Sequence, residues 1–264
     1  MSSPAARSSW GGRLLLAPGL VLYVGAGGTA DRHAHHAVQL VWVSGGTADV
    51  TLADRRVRAG AALVPARVDH AFEAHGLPLA LLLVDAHGAR GSELDRRARE
   101  LAGRDLSACL SGLPFPSLAL SLEEAGAWCR EVLLALGVAS TDTRAPSRTT
   151  RRAVAYIEQA LGGVPRIGDA AAYASTSASR LSHRFSEEIG LPFRRFVLWT
   201  RVKRAAEVAR RGGDLTEAAL AAGFSDAAHL SRTFRAMFGL SPSRVLPFVE
   251  LAGEPWSDSS PLAE

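Results

Sequence analysis

Residues 223–245 read GFSDAAHLSRTFRAMFGLSPSRV. On a helix, Leu230 and Phe234 lie four residues apart, share a face and anchor it to a core. Gly239, five residues beyond Phe234, enters the left-handed region without a steric penalty and ends that helix. Immediately upstream, LTEAALAAGFSD reads as a short alanine-rich helix in which Ala219 allows close packing and Gly223 supplies the turn. The same design occurs 49 residues earlier: Leu181-Ser182-His183-Arg184-Phe185, four residues, then Gly190-Leu191-Pro192, matching Leu230-Ser231-Arg232-Thr233-Phe234, four residues, then Gly239-Leu240-Ser241-Pro242. IGDAAAYASTS, with Ala171, precedes the first copy as LTEAALAAGFSD precedes the second. The C-terminal third is therefore a duplicated helix-turn-helix unit.

The faces turned away from Leu and Phe carry the chemistry. In the first copy Ser179, Ser182 and His183 share a face with Arg180 beside it; in the second the residues are Ala228, His229, Arg232 and Arg235. Arginine bonds bidentately to guanine, serine and histidine donate to base edges or phosphates, and alanine touches a thymine methyl. Any one of them is an ordinary surface residue. Their matching placement on two repeated helices, expected near 177–188 and 226–237, points to duplex DNA. The helix FRRFVLWTRVKRAAEVARR between the units is long enough, at about 1.5 Å per residue, to hold them roughly one DNA turn apart.

Charge agrees with this placement. Of the net +4, the segment 148–244 contributes +8, from 16 basic against 8 acidic residues; residues 1–146 balance 14 Arg with 14 acids, and 4 acids follow residue 244. A local basic excess is the electrostatic footprint of polyanion binding, although an arginine-rich solvated surface has the same sign.

Residues 153–246 resemble the DNA-binding domain of the AraC/XylS family of transcription regulators, the second unit most closely, with Arg201 and Ala205 in the connecting helix also matching. The resemblance implies seven helices, two recognition helices in successive major grooves, and base-reading positions at Ser179, Ser182, His183, Ala228, His229 and Arg232. Departures cluster in the first unit: Ser175 replaces the usual turn glycine, and Ala170 and Ala174 replace larger apolar residues, as does Ala218 in the second. A non-glycine residue in a left-handed turn costs about 1 kcal/mol, so the first unit is expected to be the looser.

Residues 14–84 alternate short apolar runs (LLLAPGLVLYV, VQLVWV, LALLLV) with turn residues, the pattern of a small antiparallel barrel or sandwich. His33-Ala34-His35-His36-Ala37-Val38-Gln39, then Gly60 and Pro65 to His70, resemble the two motifs of the cupin barrel, which regulators of this family often carry as a sensor. His-x-His puts two imidazoles on one side of a strand. His33, His35, Gln39 and His70 are thus candidate ligands for a divalent transition metal (Zn, Ni, Fe or Mn). Metal-binding cupins usually have glutamate at the Gln39 position, and an amide oxygen is the weaker ligand. The alternative is an organic effector pocket lined by His33, His35, Gln39, Trp42 and His70, with Tyr23 as a further wall.

The expected fold is α+β: a cupin-like antiparallel barrel over 10–90, a helical linking or dimerisation segment over 91–139, a linker over 140–150, the double helix-turn-helix domain over 151–247 and a frayed tail over 248–264. Leu122, Ala125, Cys129, Val132, Leu133 and Leu136 stripe one helix face, which either covers the barrel or pairs with a second copy. The expected partners are promoter DNA, a small-molecule effector, RNA polymerase and a second copy of the chain. Apolar runs are too short to span a bilayer, no export signal opens the chain, and Cys109 and Cys129 have no metal or redox spacing, so a cytoplasmic location is expected. No catalytic triad or phosphate loop is present, which argues against an enzyme. Two rivals remain: a metal-dependent cupin enzyme joined to a DNA module, and a regulator whose barrel only dimerises.

Overall fold

The computed structural model describes residues 10–17, 19–87, 89–138, 146–239, 241–245 and 249–252. The N-terminal half supplies strands β1 (Gly11–Ala17), β2 (Leu20–Ala26), β3 (Thr29–His33), β4 (Ala37–Val43), β5 (Ala48–Leu52), β6 (Arg55–Ala59), β7 (Ala61–Val64), β8 (His70–Glu73) and β9 (Pro78–Asp85). Helices α1 (Ala89–Leu101), α2 (Ser107–Leu110) and α3 (Leu122–Ala135) follow. The C-terminal domain comprises α4 (Arg148–Gln159), α5 (Ile167–Tyr173), α6 (Ala178–Ile189), α7 (Phe193–Arg210), α8 (Leu215–Ala221), α9 (Ala227–Phe238) and α10 (Pro242–Val245), and the chain returns as β10 (Val249–Ala252). Among the described residues this part has seven helices, α4–α10, the number that the family resemblance implies.

The α+β class holds, but the strands do not close into one barrel. They form a six-stranded sheet, β10-β1-β2-β9-β4-β7, and a four-stranded sheet, β3-β8-β5-β6. Closure would need the free edge of β1, and that edge is taken by β10, which runs parallel to it with Gly12 opposite Val249 and Leu15 opposite Ala252. The tail expected to fray from 248 thus begins as a paired strand, because an open edge offers backbone groups that pair readily. Gly60 joins β6 of the small sheet to β7 of the large one.

Alternation explains why both faces of the large sheet are apolar. Leu14, Leu16, Val21, Tyr23, Val41, Leu81 and Leu83 share a core with Ala30, Val50 and Phe72 of the small sheet. Their neighbours Leu15, Leu22, Val38, Leu40, Trp42 and Leu82 face the other way and meet Leu94, Ala98, Ala125, Trp128, Cys129 and Val132 of α1 and α3. Helix α3 starts at a capping box, in which the Glu124 N–H donates to Ser121 Oγ (3.2 Å) and the Ser121 N–H to Glu124 Oε2 (2.7 Å). Its stripe from Ala125 to Leu136 covers the sheet, while Leu122 at its start is exposed. Burial of each large side chain there contributes roughly 1.5–3 kcal/mol.

The two helix-turn-helix units differ in what they pack on. The first has its own core of Ala153, Ile157, Leu181, Phe185, Phe193 and Phe196. The second, with Val202, Leu230, Phe234 and Phe238, is continuous with the core between the sheets. Helix α4 begins inside the expected 140–150 linker, capped by Ser147, whose Oγ accepts from the Thr150 N–H (3.4 Å). The remainder of that linker, and the tail beyond Ala252, lie outside the described residues.

Candidate nucleic-acid interface and histidine-lined cavity

Both recognition helices have clean ends. Ser177 caps α6 and Asp226 caps α9, the latter accepting from the His229 N–H at 2.6 Å. Gly190 and Gly239 end them in the left-handed region, each at φ 77°. In the turns Gly223 sits at φ 78° and Ser175 at φ 56°, so the substitution noted in the sequence is a residue held in the left-handed region, at a cost of about 1 kcal/mol. Ala170 and Ala218 are fully buried, which lets each short helix lie close against its partner.

Leu181, Phe185, Leu230 and Phe234 are buried, while Ser179, Arg180, Ser182, His183, Ala228, Arg232 and Arg235 are exposed. His229 is half-buried; its Nδ1 lies 3.1 Å from Ser225 Oγ and its ring stands edge-on to Phe224. His183 approaches Glu187 at 3.2 Å. Among the described residues, Arg180, Arg232 and Arg235 form no salt bridge, whereas Arg184, Arg195, Lys203 and Arg204 all do. The arginines on the recognition faces therefore keep their guanidinium groups available to a polyanion. Helix α7, at 18 residues, extends about 27 Å between the two units.

The second feature is a cavity between the sheets. Its walls include Trp10, Leu14, Leu16, Val21, Tyr23, Phe72, Leu81 and Leu83, with His33 and Gln39 at one end, and Phe234 and Phe238 of α9 close it. Behind His33 lie His35 and His70, and ligand nitrogens of all three fall within 4.8 Å of one another. Each ring places Nδ1 on a backbone carbonyl: His33 on Asp31 (2.6 Å), His35 on Ala37 (3.0 Å) and His70 on Val68 (2.9 Å). A neutral ring donates its one N–H there and is left with an Nε2 lone pair. Burial, opposed by hydrogen bonds, lowers the pKa of His35 to about 4; burial and the neighbouring His35 and His33 lower that of His70 to about 3, so both rings are neutral at pH 7.

Two consequences follow. The His70 Nε2 and the Gln39 Nε2 are buried without a hydrogen-bond partner among the described residues. The His35 Nε2 and the Gln39 Oε1 face one another at 2.9 Å, two acceptors in contact once the His35 N–H is committed to Ala37. A cation bridging both resolves that contact; so does a half-turn of the amide. Locked tautomers with converging Nε2 atoms are the arrangement that orients histidines toward a metal, so the residues present fit a divalent ion, with Gln39 as the weak member of the set.

The match to a helix-turn-helix domain model spans residues 170–246, from within α5 to the end of α10. That segment is therefore a helix-turn-helix domain. No curated protein matches the chain. Among solved structures, ToxT from Vibrio cholerae aligns over 85% of this chain and 96% of its own at 10% identity and a TM-score of 0.44. A ToxT structure described as bound to unsaturated fatty acid covers 85% and 93% at 11% identity and 0.40. An AraC-type regulator from Chromobacterium violaceum covers 36% of this chain and 86% of its own at 26% identity and 0.33.

The residues expected at the sheet end sort by strand face. His33, His35, Gln39 and His70 come together, and Tyr23 lines the cavity as expected. Trp42 does not line it: three positions from Gln39 on β4, it points to the opposite face and stacks on Trp128 of α3 at 5.7 Å and 13°. Residues not foreseen as functional connect the helix-turn-helix domain to the sheets. The Asp85 carboxylate at the end of β9 accepts from Arg195 Nε (3.1 Å), Trp199 Nε1 (2.8 Å) and the His87 N–H (3.0 Å). The His36 N–H donates to the carbonyl of Ala236 (3.0 Å). An acid ending a strand carries no signal in sequence, so Asp85 was not legible. A wider cleft of about 420 Å³ between β1 and α7 is lined by Glu158, Thr200, Lys203, Arg204 and Glu207 among others, with Lys203 and Arg204 both paired with Glu207.

Proposed function

We propose that this regulator reads DNA with the exposed faces of α6 and α9, using Ser179, Arg180, Ser182 and His183 on one and Ala228, His229, Arg232 and Arg235 on the other, under control of a small effector in the inter-sheet cavity. The observation that carries the DNA part is that both repeated helices bury Leu and Phe while keeping salt-bridge-free arginines exposed on the remaining faces. Selection of bound genomic fragments by the full chain, followed by sequencing, tests it: a motif with two half-sites one helical turn apart is expected, and enrichment of no motif refutes sequence reading.

For the effector end, His33, His35 and His70 with Gln39 hold a divalent transition metal at the polar end of the cavity. The carrying observation is the three Nδ1–carbonyl bonds that leave Nε2 lone pairs converging. Cobalt(II) added to chelator-treated protein is expected to give a visible absorption band at one equivalent that His70→Ala abolishes. A featureless titration returns these histidines to the lining of an organic pocket. RNA polymerase contact and homodimerisation belong to this reading as the usual needs of a regulator.

A further inference from the structure

We propose that the cavity is a binding site for an arene-sized molecule with an oxygen-bearing head, and that its present occupant is the second recognition helix: Phe234 and Phe238 of α9 take the space that such a molecule would fill. This rests on reading the cavity as the effector site, and adds the class of ligand and the way its binding reaches the DNA-binding domain.

The cavity that remains has a volume of about 40 Å³, room for a few waters at most. Ligand sites for organic molecules are roughly 300–1,000 Å³, so a ligand enters only by moving a wall. Three walls are strands of packed sheets. The fourth is a pair of phenyl rings, edge-on to each other at 4.5 Å, from a helix of the other domain. That helix is held against the sensor near the cavity by contacts that need no bulky side chain of its own: the His36 N–H to the Ala236 carbonyl, and the close approach of Gly239 to the ring of His33, where a Cβ would come within 1.9 Å of Cδ2.

The equivalent glycine of the first unit, Gly190, has the same φ and nothing within 4 Å. Its unit keeps a separate core. The second unit alone is tied to the cavity. The chemistry of the ligand follows from what surrounds it. Trp10, Tyr23 and Phe72 meet edge to face (5.3 and 6.0 Å) and suit another aromatic ring, which is what α9 now inserts. At the polar end, with the Gln39 Oε1 turned to His35 as a bridging cation would hold it, the Gln39 Nε2 is buried without an acceptor, so the ligand's oxygen belongs there. Ligand and α9 therefore compete, and the apparent affinity is lowered by the fraction of molecules in which α9 is docked.

The test uses the full chain with phenylacetate as probe and toluene as the probe without a head group. Calorimetry reads binding, and residue-resolved hydrogen exchange of the His36 amide reads whether α9 is docked. Saturating phenylacetate is expected to abolish protection at His36; binding with that protection intact overturns the competition while leaving the cavity as an effector site. Gly239→Val drives a side chain into His33, and Gly190→Val is the control for the same backbone strain. The first is expected to bind phenylacetate about tenfold or more tightly than the second, and equal affinities overturn the proposal. Toluene binding as tightly as phenylacetate refutes the role of Gln39. Failure of both probes to bind either variant removes the cavity reading itself.

Discussion

Replacing Asp85 by alanine should loosen the regulator at the junction of its two domains. The Asp85 side chain is 1% exposed and Arg195 is 18% exposed, so the pair is largely shielded from water. Truncation leaves a buried guanidinium without its anion, a loss of roughly 3–5 kcal/mol. It also orphans the Trp199 N–H, at about 1–3 kcal/mol, and because both groups share one partner the losses do not add fully. A total near 4 kcal/mol is a large fraction of the roughly 5–15 kcal/mol that holds a typical domain together. Urea unfolding followed by circular dichroism and tryptophan fluorescence reads the loss, and the two probes should cease to coincide as the domains unfold separately. The pH dependence has a definite sign. Burial pushes the Asp85 carboxyl up, but the Trp199 hydrogen bond, the Arg195 charge and the His87 N–H together hold it below its ordinary value. A depressed folded value means that the stabilisation is complete above the unfolded pKa, about 3.9, and is lost as pH falls through the folded one. Asp85→Asn should therefore flatten the acid limb below about pH 4. An Asp85→Ala protein within about 0.5 kcal/mol of the parent, with an unchanged acid limb, refutes the latch.

Other expectations are simpler to check. Arg232→Ala should cost about 1–3 kcal/mol on the selected operator and relax preference at one base position; uniform weakening on all sequences, with a salt dependence reduced by about one counterion, assigns Arg232 to phosphate instead. Trp128→Ala removes the stack on Trp42 and the indole hydrogen bond to the carbonyl of Pro114 (2.9 Å), and should destabilise by about 3–5 kcal/mol. A thiol reagent should modify Cys109 and spare Cys129 in the native state, since Cys109 is exposed while burial pushes the Cys129 thiol up to about 12; two fast thiols would contradict the packing of α3.

The duplicated unit was legible because its information is local. Leu and Phe four apart and a glycine five residues later specify a helix, its buried face and its end, and the polar residues left over are exposed by elimination. The three histidines were legible as a His-x-His pair and one more histidine downstream, although only His33 and His70 pair across strands, and His35 reaches them from the connection between β3 and β4. Trp42 was misplaced because a strand buried on both faces looks uniformly apolar, and only the register of β4 against β9 and β7 tells which side each residue takes.

Long-range pairing decided the rest. That β10 occupies the edge of β1, that Asp85 meets Arg195 and Trp199 from over a hundred residues away, and that Phe234 and Phe238 serve two cores at once are facts of three-dimensional packing. Local composition cannot encode them, because a phenylalanine on a helix is apolar in the same way whether it faces its own domain or the neighbouring one. The type of DNA-binding module is written in residue spacing, whereas the contact that joins it to the sensor exists only once distant surfaces exclude water between them.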